Sequence, residues 1–425
     1  PNRQGEHAMH VMESYEEWFK GKPELNILYI MGLFDKPAEG GAIEAVRKEP
    51  IIDGLTDELQ GLSHADWMFA IANLRTARLL AEEDKNFDEL DCHPLVREHF
   101  GEKLKKNPKA WKEAHSRLYE WYKSIAKEYP DTIEEMAPLY SAISHGCQAN
   151  RWQEALDKVM ITQVQREKEF FSSYKLGAFG ADLAALSEFL VYKWNKVVTD
   201  LREESKAYVY KEVGYCLRAL GRMEDSIDPT ISALSIYTSS KSWDDDAAVS
   251  AYILSRIHFI RGDISKGLEY AQCGISKAGL SSNFHRLVSN LASFADIMHH
   301  AGKFEEAHDL FQEAEEMQKK LEPNAPILYA MAGFYYCDLL LSLREYKQIR
   351  ERASITLEWN REVLLYTALD QLTLGKVDLA EYRESTESIQ SNLDKAVNGI
   401  RQSGNQDEVP RGLLARASLR RIQKD

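Results

Sequence analysis

The sequence predicts a mainly all-α protein: a winged-helix domain with a small β-hairpin, followed by an α-α superhelix of repeated helical hairpins. Three observations lead there. Short motifs recur around a turn-tolerant residue at Gly221, Gly262, Gly302, Arg344 and Gly375, spaced 31 to 42 residues apart, as in stacked repeats. Apolar residues on either side of these anchors follow the helical period. One region, 77–92, instead carries two short extended runs, ARLLAE and NFDELDC, with the turn-forming EDKN between them.

Composition narrows the function classes. At 425 residues the chain exceeds what one core usually serves, so several domains or an extended array are expected. Hydrophobic residues make up 44% and charged residues 28%; no apolar run approaches the roughly 20 residues that span a bilayer. No membrane association is expected. The formal net charge of −14 opposes contact with nucleic-acid phosphates. The basic cluster of Arg97, Lys103, Lys105, Lys106, Lys109 and Lys112 reads as a solvated helix end. Five scattered cysteines without a CxxC pair fit reduced thiols in a cytoplasmic protein, and neither a disulfide framework nor a zinc knuckle.

Taken in order, HAMHVMESYEEWF has helical pattern inside residues 1–23. The winged-helix domain covers 24–106, with helices expected over 25–34, 41–47 and 64–77. Then comes LDCHPLVREHF, where Pro94 suits the first turn of a helix because its missing N–H has no partner there to lose. Leu95, Val96 and Phe100 are expected on the buried face, with His93 packing or capping. His93 and His99, six apart on one helix, point in different directions and lack further ligands, so no metal site is read there.

Residues 107–200 form a helical linker with an irregular hairpin, ISHGCQANRWQEALDKV, turning near Asn150. The repeats fill 201–425. After Gly302, the apolar positions Phe304, Ala307, Phe311, Ala314 and Met317 share one helix face, opposite Glu305, Glu306, Asp309, Glu313 and Glu316. ILYAMAGFYYCDLLL (327–341) is apolar nearly all round, as expected of a helix sandwiched between neighbours. VPRGLLARASLRRIQKD supplies a first repeat helix without its partner.

These repeats resemble the tetratricopeptide repeat, best at 291–314, with Leu291, Phe294, Ala295 and Met298 before Gly302. Gly214 and Ala233 also match, Thr230 stands where a large apolar residue is usual, and Glu384 and Glu387 make the fifth unit degenerate. A winged helix followed by HPLVREHF and such repeats resembles the carboxy-terminal part of bacterial signal-transducing ATPases with numerous domains, the group that includes NACHT and NB-ARC proteins. The resemblance implies that residues 1–23 are the tail of a preceding ATPase region. It also implies that His93 matches the histidine of a Met-His-Asp motif sensing the phosphate of bound ADP; Cys92 and Pro94 stand where Met and Asp are usual.

No GxxxxGK[ST] loop occurs, so the chain itself is expected to be neither an enzyme nor a holder of cofactors, with ADP or ATP belonging to the full-length protein. The leading expectation is a sensor and regulatory region. Its repeats would bind a protein or peptide ligand and control a nucleotide switch in an ATPase domain in cis, with oligomerisation on activation, in defence or stress signalling. Tetratricopeptide geometry puts Tyr208, Lys211, Tyr215, Arg218, Tyr252, Arg256, Asp296 and His299 on the concave, ligand-binding face. Two other readings stand beside it: a transcriptional regulator whose winged helix binds DNA through HADWMFAIANLRTA, and a passive scaffold.

Overall fold

The computed structural model describes residues 3–82, 89–281, 283–381 and 386–423. The chain divides into two compact units, residues 1–163 and 164–425. Among the described residues no helix is long and apolar enough to cross a membrane.

The first unit contains α1 (Arg3–Trp18), α2 (Pro23–Met31), β1 (Ala38–Glu39), α3 (Gly40–Arg47), α4 (His64–Thr76), β2 (Glu89–Leu90), α5 (Pro94–Leu104), α6 (Pro108–Ile125) and α7 (Ile133–Gln148). After a turn at Asn150, φ 60°, α8 (Trp152–Glu154) runs on as a π-helix over Ala155–Val164. Local sequence sets the starts. Pro23, Pro94 and Pro108 occupy first turns, and the Ser63 hydroxyl accepts from Asp66 N at 3.2 Å to cap α4.

Three expectations change here. Leu90 and Glu89 pair with Ala38 and Glu39, antiparallel, and not with 77–82. The stretch 77–82 contributes one ladder-like bond, Ala81 N to Asp91 O at 2.8 Å, and the turn EDKN, 83–86, lies outside the described residues. A strand as short as Ala38–Glu39 shows no alternation for sequence reading to find. Leu95 is 49% exposed, because the buried stripe of α5 runs at i, i+4 through Val96, Phe100 and Leu104. Arg97 leaves the basic cluster altogether. It is buried, donating to the carbonyls of Phe34, Lys36 and Cys92 and to the Asp91 carboxylate, and so ties β2 and α5 to the end of α2.

A buried histidine pair joins α6 to α7, His115 Nδ1 lying 2.9 Å from His145 Nδ1. Burial, with Lys36 adding to it, pushes His145 down to about 3. Burial and then His145 itself hold His115 well below the usual imidazole range. Both rings are therefore neutral in the folded protein, one nitrogen donating and the other accepting.

The second unit opens with α9 (Phe171–Tyr174), α10 (Phe179–Ser187) and a short hairpin of β3 (Leu190–Tyr192) and β4 (Lys196–Val197). Helix pairs follow: α11 (Glu203–Ala219) with α12 (Met223–Tyr237), α13 (Asp244–Ile260) with α14 (Ile264–Ser281), α15 (Phe284–His300) with α16 (Phe304–Leu321), α17 (Ala330–Ser342) with α18 (Tyr346–Trp359), α19 (Leu364–Glu381) with α20 (Thr386–Gln402), and finally α21 (Val409–Gln423). Each pair packs on the next, giving an all-α superhelix of tetratricopeptide-like hairpins. One core runs from Val288 and Leu291 through Phe311, Phe334 and Leu372 to Leu419.

The turns at Gly221, Gly262 and Gly302 have φ of 76°, 84° and 82°, and Arg344 has 63°, the left-handed conformation that reverses a helix within two residues. Gly375 is not a turn. It lies inside α19, where a Cβ would come 2.6 Å from Leu393 Cδ2; its lack of a side chain lets α20 approach. The fifth pair is therefore placed later, α19 ending at Glu381 and α20 starting at Thr386, and α20 carries an intact apolar face in Ile389, Leu393, Ala396, Val397 and Ile400. Glu387 is exposed and Glu384 lies outside the described residues, so the fifth unit is shifted in register and not degenerate. Thr230, the departure in the first repeat, is explained by Gly214 opposite it. A Cβ at 214 would fall 2.1 Å from Thr230 Oγ1, whose proton goes to Ser226 O.

Two outcomes test these packings. Gly214→Ala should cost about 1–3 kcal/mol by overpacking, although Ala is ordinarily the better helix former, and Thr230→Ala in the same chain should recover most of it in chemical denaturation. The depressed histidine pKa values make stability full above about pH 6.5, the unfolded value, and progressively lost as pH falls toward 3. The His115→Leu/His145→Met protein should therefore show a smaller drop in the first unit's melting temperature between pH 7.5 and 4.5; an equal drop would contradict the neutral pair.

Candidate functional site

Helices α11 and α13 turn one face into the superhelix. Lys211, Tyr215 and Arg218 recur at i, i+4 and i+7 on α11, and Val249 and Tyr252 at i and i+3 on α13. Together they line a cavity of about 610 Å³, completed by Tyr174 from α9, Arg286 from α15, Tyr366 from α19 and Glu408 from the segment before α21. A second cavity of about 220 Å³ shares Tyr174, Tyr252, Arg286 and Tyr366 and extends to Tyr329 and Tyr335. The two form one chamber with two lobes.

Its charges are matched in pairs. Lys211 Nζ lies 2.9 Å from Asp246 and 3.5 Å from Glu212. Burial works against its charge, but Glu212, Tyr237 and Asp246 outweigh it and keep the ammonium protonated. Arg218 Nη1 is 2.9 Å from Asp407, with its guanidinium 5.3 Å from the Tyr215 ring. Arg286 Nε reaches Asp245 at 3.4 Å. Burial pushes the hydroxyls of Tyr174, Tyr215 and Tyr366 upward, so all three are protonated donors at neutral pH. Such a chamber suits polar, uncharged or internally balanced ligand groups held against aromatic walls.

Of the residues that sequence placed on the concave face, Lys211, Tyr215, Arg218 and Tyr252 meet here. Tyr208 donates its hydroxyl to Gln165 Oε1. Arg256 and Asp296 face each other, Nη1 to Oδ2 at 2.7 Å, both fully buried, with the guanidinium stacked 4.4 Å from the Tyr335 ring and 4.7 Å from that of Phe259. His299 Nε2 sits 2.9 Å from Ser342 Oγ. These last three hold helices together behind the lining. His93, in the first unit, is exposed and caps α5, its Nδ1 accepting from Leu95 N at 3.2 Å. That bond puts the ring proton on Nε2.

Tyr174, Arg286, Tyr366 and Glu408 escaped sequence reading. They come from an irregular helix, a helix whose repeat register was not carried to its start, a repeat whose glycine was misread as a turn, and a loop. Among the described residues, one cluster has the makings of a cation site: ligand atoms of Asp296, His299 and His300 lie within 4.8 Å of one another. The guanidinium of Arg256 already occupies Asp296, so an ion there would face a buried positive charge.

Arg256→Met should destabilise the second unit by about 3–5 kcal/mol, since it strands a buried carboxylate. Arg256→Met/Asp296→Leu should lose much less, and denaturant titration of the three proteins separates ion-pair structure from ligand contact.

No protein-family model matches the chain, and no curated protein matches its sequence. Among solved structures, it is similar to a signal transduction ATPase with numerous domains carrying a tetratricopeptide repeat sensor, from Pyrococcus horikoshii, at 15% identity and a TM-score of 0.40 over 97% of this chain. The chain spans 62% of that protein's length. It is also similar to a Rap protein complexed with Competence and Sporulation Factor, at 13% identity and TM-score 0.40, covering 85% of this chain and 92% of that one. Aspartyl phosphate phosphatase F from Bacillus subtilis gives 11% identity and TM-score 0.41, covering 95% and 93%.

Proposed function

We propose that this chain is the sensor and regulatory region of a signal-transducing ATPase, binding a protein or peptide ligand inside the superhelix. The observation that carries the reading is the chamber itself: side chains from the first helices of successive repeats converge with four tyrosines on a cavity of about 610 Å³. That volume falls in the range of ligand pockets, and tyrosine and arginine are the side chains that most often anchor bound partners.

In this reading the winged-helix domain, 24–106, couples ligand binding to a nucleotide switch in an ATPase domain in cis, with oligomerisation on activation and a role in bacterial defence or stress signalling. Residues 1–23 belong to the tail of that ATPase, and 107–200 link the two parts. The exposed His93 supports the coupling, since a proton on Nε2 makes it a donor for an ADP phosphate oxygen. The chain is itself non-catalytic, and the nucleotide is held elsewhere in the parent protein. A shift of this kind requires the ligand to bind one switch state more tightly than the other. Helix α4 exposes Met68 and Phe69 and carries a single arginine, Arg75, where a DNA-reading helix needs several basic side chains.

Peptides from a protease-digested proteome, passed over the immobilised chain and identified by mass spectrometry, test the binding step. A discrete set should be retained and should fall about tenfold on the Tyr252→Leu protein. Retention of the same set by both proteins, or of none by either, rejects the proposal.

A further inference from the structure

The superhelix closes on itself around the chamber. Gln406 N and Asp407 N both donate to Ala219 O, at 2.7 and 3.3 Å, so the segment between α20 and α21 is bonded to the end of α11. Arg218, one residue earlier, holds Asp407. The chain ahead of α10 meets the same segment. Gly177 and Gly404 lie so close that a Cβ on Gly404 would come 2.5 Å from Gly177 O, and Lys175 Nζ is 2.7 Å from Glu362. The gap that an open solenoid leaves between its first and last repeats is bridged by the segment 403–407.

An open solenoid presents its concave face sideways to a folded partner. A ring does not. The larger lobe holds a drug-sized ligand, about three to five peptide residues, and it offers unused donors. Arg218 Nε, in the large lobe, and Tyr335 Oη, in the small one, are buried and have no hydrogen-bond partner among the described residues. Backbone carbonyls of an entering chain would satisfy both.

We infer that the chamber is a threading site: it admits a free polypeptide end and excludes segments that are continuous at both ends. The end belongs either to a short linear peptide or to the terminus of a larger partner, and the inference rests on the ligand-binding reading above. Random heptapeptides displayed at a free terminus, and the same heptapeptides inserted in a loop of the display scaffold, are panned in parallel on the full chain. Enrichment should exceed the unselected pool about tenfold only for the free ends. Synthetic copies of the winners, as short peptides and as termini fused to a folded carrier, then distinguish the two sources. Equal enrichment of loop-inserted sequences overturns threading while leaving ligand binding intact, and no enrichment in either library overturns both.

A second test keeps the ring shut. A Cβ at 221 would lie 3.9 Å from Gln406 Cβ, within the span of a disulfide, so Gly221→Cys/Gln406→Cys locks the closure when oxidised. The strain of a side chain at 221 is common to both redox states, which makes the comparison internal. The oxidised protein should bind the linear peptides as the reduced one does. A loss on oxidation that reductant reverses would show that the ring opens sideways, and would overturn the inference.

Discussion

The interior of the superhelix is built on buried and half-buried charges matched across helices. Arg256 of α13 meets Asp296 of α15, Lys211 of α11 meets Asp246 of α13, Lys376 of α19 meets Asp338 of α17, and Arg352 of α18 meets Glu315 of α16. Arg256 and Asp296 are fully buried, and each taken alone would cost several kcal/mol to remove from water, so each is tolerable only where its partner stands. Sliding one hairpin by a helical turn, about 5.4 Å, would separate every such pair at that interface. Matched charges therefore fix the register in which hairpins stack, a task that a uniformly apolar interface performs poorly.

That register also makes the site. With α11, α13, α15 and α19 locked in place, Lys211, Tyr215, Arg218, Tyr252, Arg286 and Tyr366 face one volume. The same logic closes the ring, since Asp407 reaches Arg218 from the far end of the array. Small residues set how closely helices approach within a pair: Gly214 against Thr230, and Gly375 against Leu393. Charge fixes the position along the stack, and side-chain size fixes the distance across it. The chamber's volume follows from both.

Much of this was legible in the chain alone. Glycine at 221, 262 and 302 marked three turns correctly because left-handed backbone is local and strongly residue-dependent. Pro94 marked the start of α5 for the same kind of reason. Gly375 misled because glycine serves two ends, a turn or a close approach, and sequence spacing does not separate them. Leu95 and the 77–82 run misled because which of two neighbouring apolar residues is buried, and which strand finds which edge, depend on partners far along the chain.

For the candidate site the division is sharper. The tetratricopeptide resemblance of the repeats put Lys211, Tyr215, Arg218 and Tyr252 on one inward face, and the four do line one cavity. The sequence by itself could not tell that Arg256 and Asp296, in the same register, spend their charges on each other. Nor could it bring Tyr174, Tyr366 and Glu408 to the chamber or join residue 406 to residue 219. Helix formation and turns are decided by interactions a few residues apart. Ring closure sums small rotations over every hairpin between α11 and α21, and only the tertiary structure carries that sum.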